Sequence, residues 1–575
     1  MSTEALKKRV TEAVAESTEY LYSLQRADGG WTDRLSSSAM ATGLAVLALA
    51  RADRRKYREE IESGLRWLRR HRRADGGWGL ADADPPSDAS VTAFALAALK
   101  VLDAEGAKDD IAAGTNYIEA CGGDAALFPN IRTWRELVSI VWALEGLRDA
   151  EDQPAQPLEV MLLPAKLRNR ASIALPGVIA LGIGQSRILP ANPVRRTAQK
   201  LAEPKGLAWL RKVMASNGGI EECPLMAALV YMGLKVAGDD VGADIQQGCI
   251  EYLLETRRED GSWAIDRDLE IAVTSYAVMA LAERCDVSAE PRLRHTAKWL
   301  LSTQCNGAFE ALKLPPGGWS WAAPSGWPES EDTAVVLTAL MALGVPRRHP
   351  AVRKGLRWLL AMQNKDGSWS EWIRNSSMVH DGPCAGVTSH VVMAMHAYGI
   401  AYGPKSPVDR ALRYFEATQH ADGCLRSLWF RDSTHGTAKV LETYAELGRQ
   451  DDPVAARARD WLLATQRTDG SWPGKVIEGA PDGGTAEETA WAVYSLLKAG
   501  MPAADDRIVR AVEWLLDKQR ANGTWPQSVV GLYYDQLYYS DDLIAHTYAL
   551  RALGRWLGCV EADSASPDSV SQLSV

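Results

Sequence analysis

Three carboxylates stand together where a tryptophan-rich loop meets an apolar segment: Glu329, Glu331 and Asp332. Carboxyls this close cannot all ionise at low cost, so one of them stays protonated near neutral pH. A neutral carboxyl of this kind can act as a general acid, even toward a base as weak as an isolated alkene. The structural alternative is an ordinary helix N-terminus with favourable charges in its first turn.

The loop before these acids favours the chemical interpretation. It contains three tryptophans, Trp319, Trp321 and Trp327. Aromatic faces stabilise cations without reacting with them. The stretch therefore predicts acid-initiated cation chemistry on an apolar substrate.

The elements that position this stretch belong to an internal repeat. The pattern Gln-x-x-x-Gly-x-Trp occurs at 25–31, 363–369, 466–472 and 519–525, and degenerate copies occur at 72–78, 257–263 and 419–425. An amphipathic helix ends before several copies, and a nearly all-apolar helix follows each of them. These apolar helices are predicted at 41–50, 91–99, 271–282, 333–343, 387–398, 437–448, 489–500 and 543–554.

A helix that is apolar on all sides must be buried, and its amphipathic neighbour must cover it. We therefore predict an all-α protein built of two α/α toroids, in which the repeat motif has a structural role. The predicted segments are 33–290 for the first barrel and 291–560 for the second, with a disordered tail at 561–575.

Composition excludes several classes of protein. The net charge of −9 argues against a nucleic-acid binder. Neither a signal peptide nor a membrane span is recognisable, so a cytoplasmic location is expected. Eight cysteines occur without C-x-x-C spacing, which favours reduced thiols over disulfides or a structural zinc site.

The repeats and the string Pro-Glu-Ser-Glu-Asp-Thr-Ala-Val-Val at 328–336 together resemble the class II terpene cyclases, which include the squalene-hopene cyclases. The resemblance extends from 12 to 556. It implies two α/α barrels of the β and γ type, with the N-terminal segment 1–32 completing the C-terminal barrel. It also implies a cavity between the barrels where a polyene is folded and protonated.

The resemblance assigns the catalytic residues. The family's acid motif is D-x-D-D, and Glu329, Glu331 and Asp332 occupy its acidic positions. Glu331 therefore stands where the family has its proton-donating aspartate, one methylene longer. His390, in Val-Thr-Ser-His, matches the family's histidine opposite the acid, and Gly386 replaces an aspartate found there.

The resemblance also implies a cavity wall. Its expected substrate-binding residues are Trp321, Trp372, Trp429, His435, Tyr533, Tyr539 and Asp541. His435 stands where hopene cyclases have a tyrosine near the acid, so it has an expected place in the proton path.

The substrate is expected to be a hydrophobic polyene. The strings at 483–491 and 429–438 resemble the prenyl-diphosphate cyclases, which favours a linear C15 or C20 prenyl diphosphate, or a prenylated compound, over squalene. Protonation itself needs no cofactor, and Mg²⁺ is expected only with a diphosphate. Candidates for such a metal site are Asp82, Asp84 and Asp88, and candidates for diphosphate contacts are Lys166, Arg168 and Arg170.

Other interpretations stay open from the sequence. They are a squalene cyclase, a non-catalytic polyprenyl-binding member of the family, a protein prenyltransferase subunit and a toroid glycosidase. The apolar segment 173–183 is expected to be a buried helix, with weak contact to a membrane surface as the alternative. The sequence does not indicate the oligomeric state.

Overall fold

The structure is a computed structural model that describes residues 3–565 with gaps at 33, 82–86, 130–131, 169–173, 310–311, 325, 377, 379–380, 401, 432, 473–482, 530 and 534–536. The side chains of 134, 166 and 532–538 also lie outside the description, as do those of Thr3, Arg132, Thr133 and Ala565.

The described residues form 22 α-helices and one short hairpin. The helices are α1 (Thr3–Ser23), α2 (Ala39–Asp53), α3 (Arg58–Arg70), α4 (Ala89–Leu102), α5 (Lys108–Ala120), α6 (Arg132–Leu144), α7 (Ala165–Arg168), α8 (Leu175–Ile188), α9 (Pro193–Val213), α10 (Pro224–Ala237), α11 (Ala243–Glu255), α12 (Glu270–Leu281), α13 (Arg294–Ser302), α14 (Ser330–Ala342), α15 (Pro350–Met362), α16 (Ala385–Ala397), α17 (Pro407–Thr418), α18 (Thr434–Glu446), α19 (Pro453–Thr465), α20 (Ala486–Lys498), α21 (Asp506–Lys518) and α22 (Asp542–Ala565). The strands β1 (Gly531–Tyr533) and β2 (Leu537–Tyr539) pair antiparallel.

The C-terminal barrel has a closed inner ring. Helices α12, α14, α16, α18, α20 and α22 pack each on the next, and α22 packs back on α12. Their side chains are buried almost throughout, because each inner helix is covered by its neighbours and by an amphipathic outer helix. Helix α1 packs on α21 and α22 and belongs to the same core.

The N-terminal barrel is built on the same plan. Helices α4, α2, α10 and α8 pack in that order, and α6 lies beside α4. The segment predicted at 173–183 as a buried helix corresponds to α8, whose residues from Leu175 to Gln185 are buried. The prediction of an all-α fold with two α/α barrels is confirmed.

The repeated tryptophan is hydrogen-bonded to the outer helix that precedes it in the chain. In six of the copies, and in the related Trp319, the indole N–H donates a 2.7 Å hydrogen bond to a leucine carbonyl near the end of the preceding outer helix. The seven are Trp31, Trp78, Trp263, Trp319, Trp369, Trp472 and Trp525. Each is fully buried, so this bond satisfies a donor that burial would otherwise leave unpaired.

The glutamine of the motif connects one outer helix to the next. The Gln363 amide donates to the carbonyl of Gly367 in its own turn and to the carbonyl of Pro407 at the start of α17, at 2.9 and 2.8 Å. A threonine of the inner helix completes the unit, because the Thr388 hydroxyl accepts the backbone N–H of Trp369. Each copy thus joins two outer helices and one inner helix.

These bonds also show where the chain crosses between barrels. The backbone N–H of Trp31 bonds to Thr274 on α12, whereas that of Trp263 bonds to Thr42 on α2. Helix α12 therefore packs in the C-terminal barrel, although the sequence placed the division at 290–291. The sequence missed this because each tryptophan was paired with the inner helix that follows it in the chain.

The remaining features complete the fold. Helix α22 extends to Ala565, so residues 561–565 are helical where a disordered tail was expected, and 566–575 lie outside the described residues. All eight cysteines are free thiols. No α-helix among the described residues is long and apolar enough to cross a membrane.

Candidate active site

The acid stretch begins α14 and is fixed to the neighbouring repeat. The backbone N–H of Glu329 donates to the carbonyl of Trp319 at 2.9 Å. Ser330 donates its N–H to the carbonyl of Glu371 at 3.0 Å and its hydroxyl to that of Ser370 at 2.7 Å. The first turn of α14 is therefore held against the turn that follows Trp369.

Glu331 is buried, and Tyr276, His390 and Lys439 of the C-terminal barrel act on its carboxyl. Its Oε1 lies 3.4 Å from the Tyr276 hydroxyl, which donates to it, and 3.6 Å from His390 Nε2. Burial and the nearby Asp332 raise the pKa of Glu331, Lys439 and Tyr276 act in the opposite direction, and the resulting pKa is about 8. Glu331 is therefore neutral at pH 7 and has a partner for its conjugate base.

Glu329 and Asp332 form a carboxyl pair beside Glu331. Burial raises the pKa of both groups. A hydrogen bond between them raises the pKa of Glu329 and lowers that of Asp332, as expected when Glu329 keeps the proton and donates it. These two carboxyls thus bind one proton between them.

Glu371 is a fourth buried carboxyl that the sequence analysis did not identify. Its Oε1 accepts the backbone N–H of Glu331 at 2.8 Å, and its Oε2 is buried without a hydrogen-bond partner among the described atoms. Burial raises its pKa well above the ordinary value, and the charges of Glu331, Asp332 and Asp381 add to this. Its position two residues after a structural tryptophan gave no signal in the sequence.

These carboxyls open onto one cavity between the two cores. The cavity has about 670 Å³ of free space, including the part open to solvent. Five carboxyls line it: Asp266, Glu329, Glu331, Asp332 and Glu371. Among the described residues that line it there is no lysine, arginine or histidine.

His390 and His435 lie in the barrel behind this lining. Their rings are stacked with centroids 6.1 Å apart, and burial lowers the pKa of each well below 6.5, so both are neutral. The nearby Lys439 acts in the same direction on both histidines. His435, expected at the cavity, packs instead against Phe430 and Trp491.

Gly386 explains how His435 fits there. A Cβ at Gly386 would lie 2.7 Å from the Ser427 hydroxyl and 3.1 Å from the His435 ring. The glycine, which stands where the family has an aspartate, thus leaves room for the imidazole. Gly386 and His435, the two departures from the family pattern, therefore depend on each other for space.

The three predicted cavity tryptophans do form one wall. Trp372 packs edge-on against Trp321 at 6.1 Å and against Trp429 at 5.0 Å, measured between ring centroids. All three line the cavity, together with Phe430. Their faces provide the aromatic surface that a carbocation requires.

Of the predicted site residues near the C-terminus, Tyr539 lies at the cavity and Asp541 does not. Tyr539 lines the cavity. Asp541 does not line it and instead accepts the backbone N–H of Ile544 at 2.9 Å, which caps α22. The side chain of Tyr533 lies outside the described residues.

The candidates for metal and diphosphate binding lie elsewhere or outside the description. Asp88 caps α4 by accepting the N–H groups of Ser90 and Val91, and Arg168 lies over the ring of Trp209. Asp82, Asp84, Arg170 and the side chain of Lys166 lie outside the described residues. Within the described part of the chain, no three His, Cys, Asp or Glu side chains cluster as metal ligands would.

Comparison with known families agrees with this architecture. A family profile for the squalene-hopene cyclase C-terminal domain matches residues 270–557, and one for the N-terminal domain matches residues 14–171. The chain belongs to the squalene-hopene cyclase family. It is thus a class II terpene cyclase, and the prenyltransferase and glycosidase interpretations are set aside.

Individual relatives of this cyclase are distant but similar over their full length. The squalene–hopene cyclase of Alicyclobacillus acidocaldarius is 27% identical, over 95% of this chain and 97% of that protein. The squalene–hopene cyclase of Bradyrhizobium diazoefficiens is 24% identical, over 91% and 92%. The solved structure of ent-copalyl diphosphate synthase from Streptomyces platensis superposes with a TM-score of 0.59 at 18% identity, over 96% of this chain and 99% of that one, which shows a shared fold.

Proposed function

We propose that this cyclase protonates the terminal double bond of a linear isoprenoid and folds the resulting cation into a cyclic terpenoid, with Glu331 as the acid. One observation supports this above the others. Glu331 is a neutral, buried carboxyl at an aromatic cavity, and it has hydrogen-bonding and cationic groups placed to stabilise its conjugate base.

The proposed step balances within the active site. The π electrons of the alkene form a C–H bond with the Glu331 proton, and the O–H bonding electrons remain on the carboxylate. Successive double bonds then attack the cation and close rings along the aromatic wall. Loss of a proton or addition of water ends the sequence.

The groups behind Glu331 stabilise the carboxylate that remains after it has donated its proton. The Tyr276 hydroxyl donates to the carboxylate, and Lys439, paired with Glu442 at 2.9 Å, supplies a positive charge from inside the barrel. His390 is neutral and lies 3.6 Å away, a separation that a bound substrate can shorten into a hydrogen bond. Its proposed role is to position the acid.

Glu331 is the better candidate for the acid than Glu371, although both line the cavity. The charges near Glu371 are other carboxylates, which oppose its ionisation. Glu331 is favoured by Lys439 and Tyr276, and it is therefore the stronger acid of the two. The longer side chain at this position is compatible with proton donation because Glu371 fixes its backbone.

For the substrate we propose a linear C15 or C20 isoprenoid, either a prenyl diphosphate that keeps its diphosphate or an uncharged prenylated compound. Glu329 and Asp332 with one proton between them leave a negative charge at the cavity, and no cation is found among its described lining residues, which supports the uncharged form. Squalene is the second candidate, since it is also uncharged and the named relatives are squalene–hopene cyclases.

A product screen tests the proposal. The cyclase and its Glu331→Gln variant are incubated with farnesyl and geranylgeranyl diphosphates with and without Mg²⁺, with the corresponding alcohols, and with squalene. We expect a cyclic product from the wild type and at least a 1,000-fold lower rate from the variant, on the order of a lost proton donor. A variant that cyclises at the wild-type rate would show that another group is the acid.

A further inference from the structure

A second polar position, Asp266, lines the same cavity as the acid. Asp266 follows the repeat Trp263 and precedes α12, and its side chain lines the cavity although the residue is only 4% exposed. Its Oδ1 has no hydrogen-bond partner among the described atoms. Burial raises the pKa of Asp266 well above its ordinary value, the nearby Glu222 adds to this, and the Cys223 thiol acts in the opposite direction.

An unpaired donor belongs to the same wall. Trp321 lines the cavity, and its indole Nε1 is buried without a partner among the described residues. The backbone N–H of Ile271 donates to the Trp321 carbonyl at 2.9 Å, and Arg267 donates to the Ala323 carbonyl at 2.6 Å. These bonds join the segment of Asp266 to that of Trp321, so one wall offers both an acceptor and a donor.

Asp266 and the acid lie at the same cavity but on different barrels. Asp266 follows the tryptophan that closes the N-terminal barrel, whereas Glu331 begins a helix of the C-terminal barrel. Tyr539 lies close to both, since the charges of Glu331 and Asp266 each raise its pKa, after burial and Asp541. A substrate whose last double bond meets Glu331 occupies the cavity that Asp266 also lines, so its opposite end, the head, is the part left to contact Asp266.

The charge around Asp266 excludes an anionic head. The neighbouring Arg267 lies 3.1 Å from Glu222, 3.3 Å from Asp268 and 3.8 Å from Glu270. Glu255 also lies 3.8 Å away, so one guanidinium serves four carboxyls and has no charge left for a diphosphate. A pure hydrocarbon is also disfavoured, because it would leave the buried Asp266 oxygen unpaired.

We propose that Asp266 Oδ1 accepts a hydrogen bond from a hydroxyl, alcoholic or phenolic, at the head of the isoprenoid substrate. The same hydroxyl oxygen can accept from the Trp321 indole. This inference rests on the proposed function, because it assumes that the opposite end of the substrate is protonated by Glu331. It narrows the substrate to an uncharged prenyl alcohol or prenylated phenol.

The test compares two substrates that differ only in the donor, geranylgeraniol and its methyl ether. Wild type is compared with Asp266→Leu, which removes the acceptor, and with Asp266→Asn, which keeps an acceptor oxygen. Asp268→Asn is the matched control, a buried carboxyl next to Arg267 that does not line the cavity. Thermal unfolding confirms that each variant is folded, and geranylgeranyl diphosphate is run with and without Mg²⁺.

We expect the wild type to favour the alcohol over the ether by about 10–100-fold in kcat/KM, as one buried hydrogen bond supplies. Asp266→Leu raises KM for the alcohol until the preference over the ether is lost, while Asp266→Asn and Asp268→Asn keep the preference. The proposal is overturned if the diphosphate is the better substrate, or if Asp266→Leu slows alcohol and ether equally.

Binding separates this inference from the proposed function. Quenching of cavity tryptophan fluorescence measures the affinity of alcohol and ether for the Glu331→Gln variant, in which no turnover is needed. Tighter binding of the alcohol that disappears on adding Asp266→Leu supports the head-group site even if the acid was misassigned. Equal binding of the two ligands refutes it whatever the outcome of the product screen.

Discussion

At the scale of single residues, the pKa of Glu331 determines when the cyclase can work. The proton donor must be neutral, and the pKa of this carboxyl is raised to about 8. We therefore expect kcat to be flat from pH 6 to 7 and to fall about tenfold per pH unit above 8. A pH–rate profile of single-turnover cyclisation measures this; a fall that begins near pH 5 would contradict it.

The same shift predicts how stability changes with pH. The folded-state pKa of Glu331 lies above the unfolded value of 4.5, so its contribution is fully present below pH 4.5 and is lost as pH rises toward 8. Glu331→Gln does not titrate. The difference in unfolding free energy, variant minus wild type, should therefore increase between pH 4.5 and 8 in denaturant titrations.

Glu371 should act through its hydrogen bond to the backbone of Glu331. Glu371→Gln keeps an acceptor oxygen and should retain cyclisation within about fivefold, whereas Glu371→Leu leaves the Glu331 N–H unpaired and should cost about 1–3 kcal/mol of stability with a lower kcat.

The matched control for this pair is Glu487→Gln and Glu487→Leu. Glu487 is an equally buried carboxyl that accepts from Ser528 and does not line the cavity. Both of its variants should change stability only. If Glu371→Gln abolishes cyclisation while Glu331→Gln does not, the two glutamates have exchanged roles.

Only part of the site could be predicted from the sequence. The acid cluster could be found because three neighbouring carboxyls stand out in the sequence. The cavity tryptophans Trp321, Trp372 and Trp429 could be found because their positions match the family pattern. Glu371 and Asp266 were missed because each follows a structural tryptophan in an ordinary turn, and only the fold brings them to the cavity. His435 was placed at the cavity because the sequence does not show that the room beside Gly386 lies behind His390.

At the scale of elements, the motif glutamines determine how outer helices are joined. Gln519 differs from the others because its partners, Ala13 and Ser17, lie on α1, at 3.2 and 2.8 Å. Gln519→Ala should cost about 1–3 kcal/mol and loosen α1. Hydrogen exchange of the amides of α1 measures this.

Gln466→Ala provides the comparison, since Gln466 makes the same kind of bond to Arg507 within consecutive repeats. It should lower stability by a similar amount without faster exchange in α1. Equal exchange of α1 in both variants would mean that Gln519 does not hold the helix.

The apolar inner helices were predictable from their composition alone, and all eight are present. Composition does not show which inner helix each repeat tryptophan bonds to. Trp31 and Trp263 each bond to an inner helix that is more than 200 residues away in the chain. Local patterns specify the helical pairs, whereas the crossing between barrels depends on long-range packing.

At the scale of the whole molecule, an apolar surface adjoins the N-terminal barrel. Large apolar side chains that are more than a third exposed cluster in sequence there: Leu162, Leu163, Leu167, Ile188, Val194 and Leu201. They lie on or beside α7, α8 and α9, of which α8 and α9 pack together. We propose that this surface gives the weak membrane association considered from the sequence.

Vesicle sedimentation tests that association. Changing Leu163, Leu167 and Val194 to serine should lower the bound fraction on phosphatidylcholine vesicles at least threefold without changing turnover of a soluble substrate. The control changes Leu24, Met341 and Leu360 to serine, which are exposed apolar residues elsewhere. An equal loss in both variants would show that the surface has no special role.

The position of α1 has a consequence for the order in which the protein can fold. This helix is made before α2 to α22, yet Leu6, Val10 and Leu21 are buried in the core whose other members include α21 and α22, near residues 506–565. At about 5–20 residues per second, a ribosome needs roughly 25–100 seconds to supply those partners. During that time the N-terminal barrel can fold, while α1 has no partner to pack on. The need for chaperones should therefore be greatest before α22 leaves the ribosome.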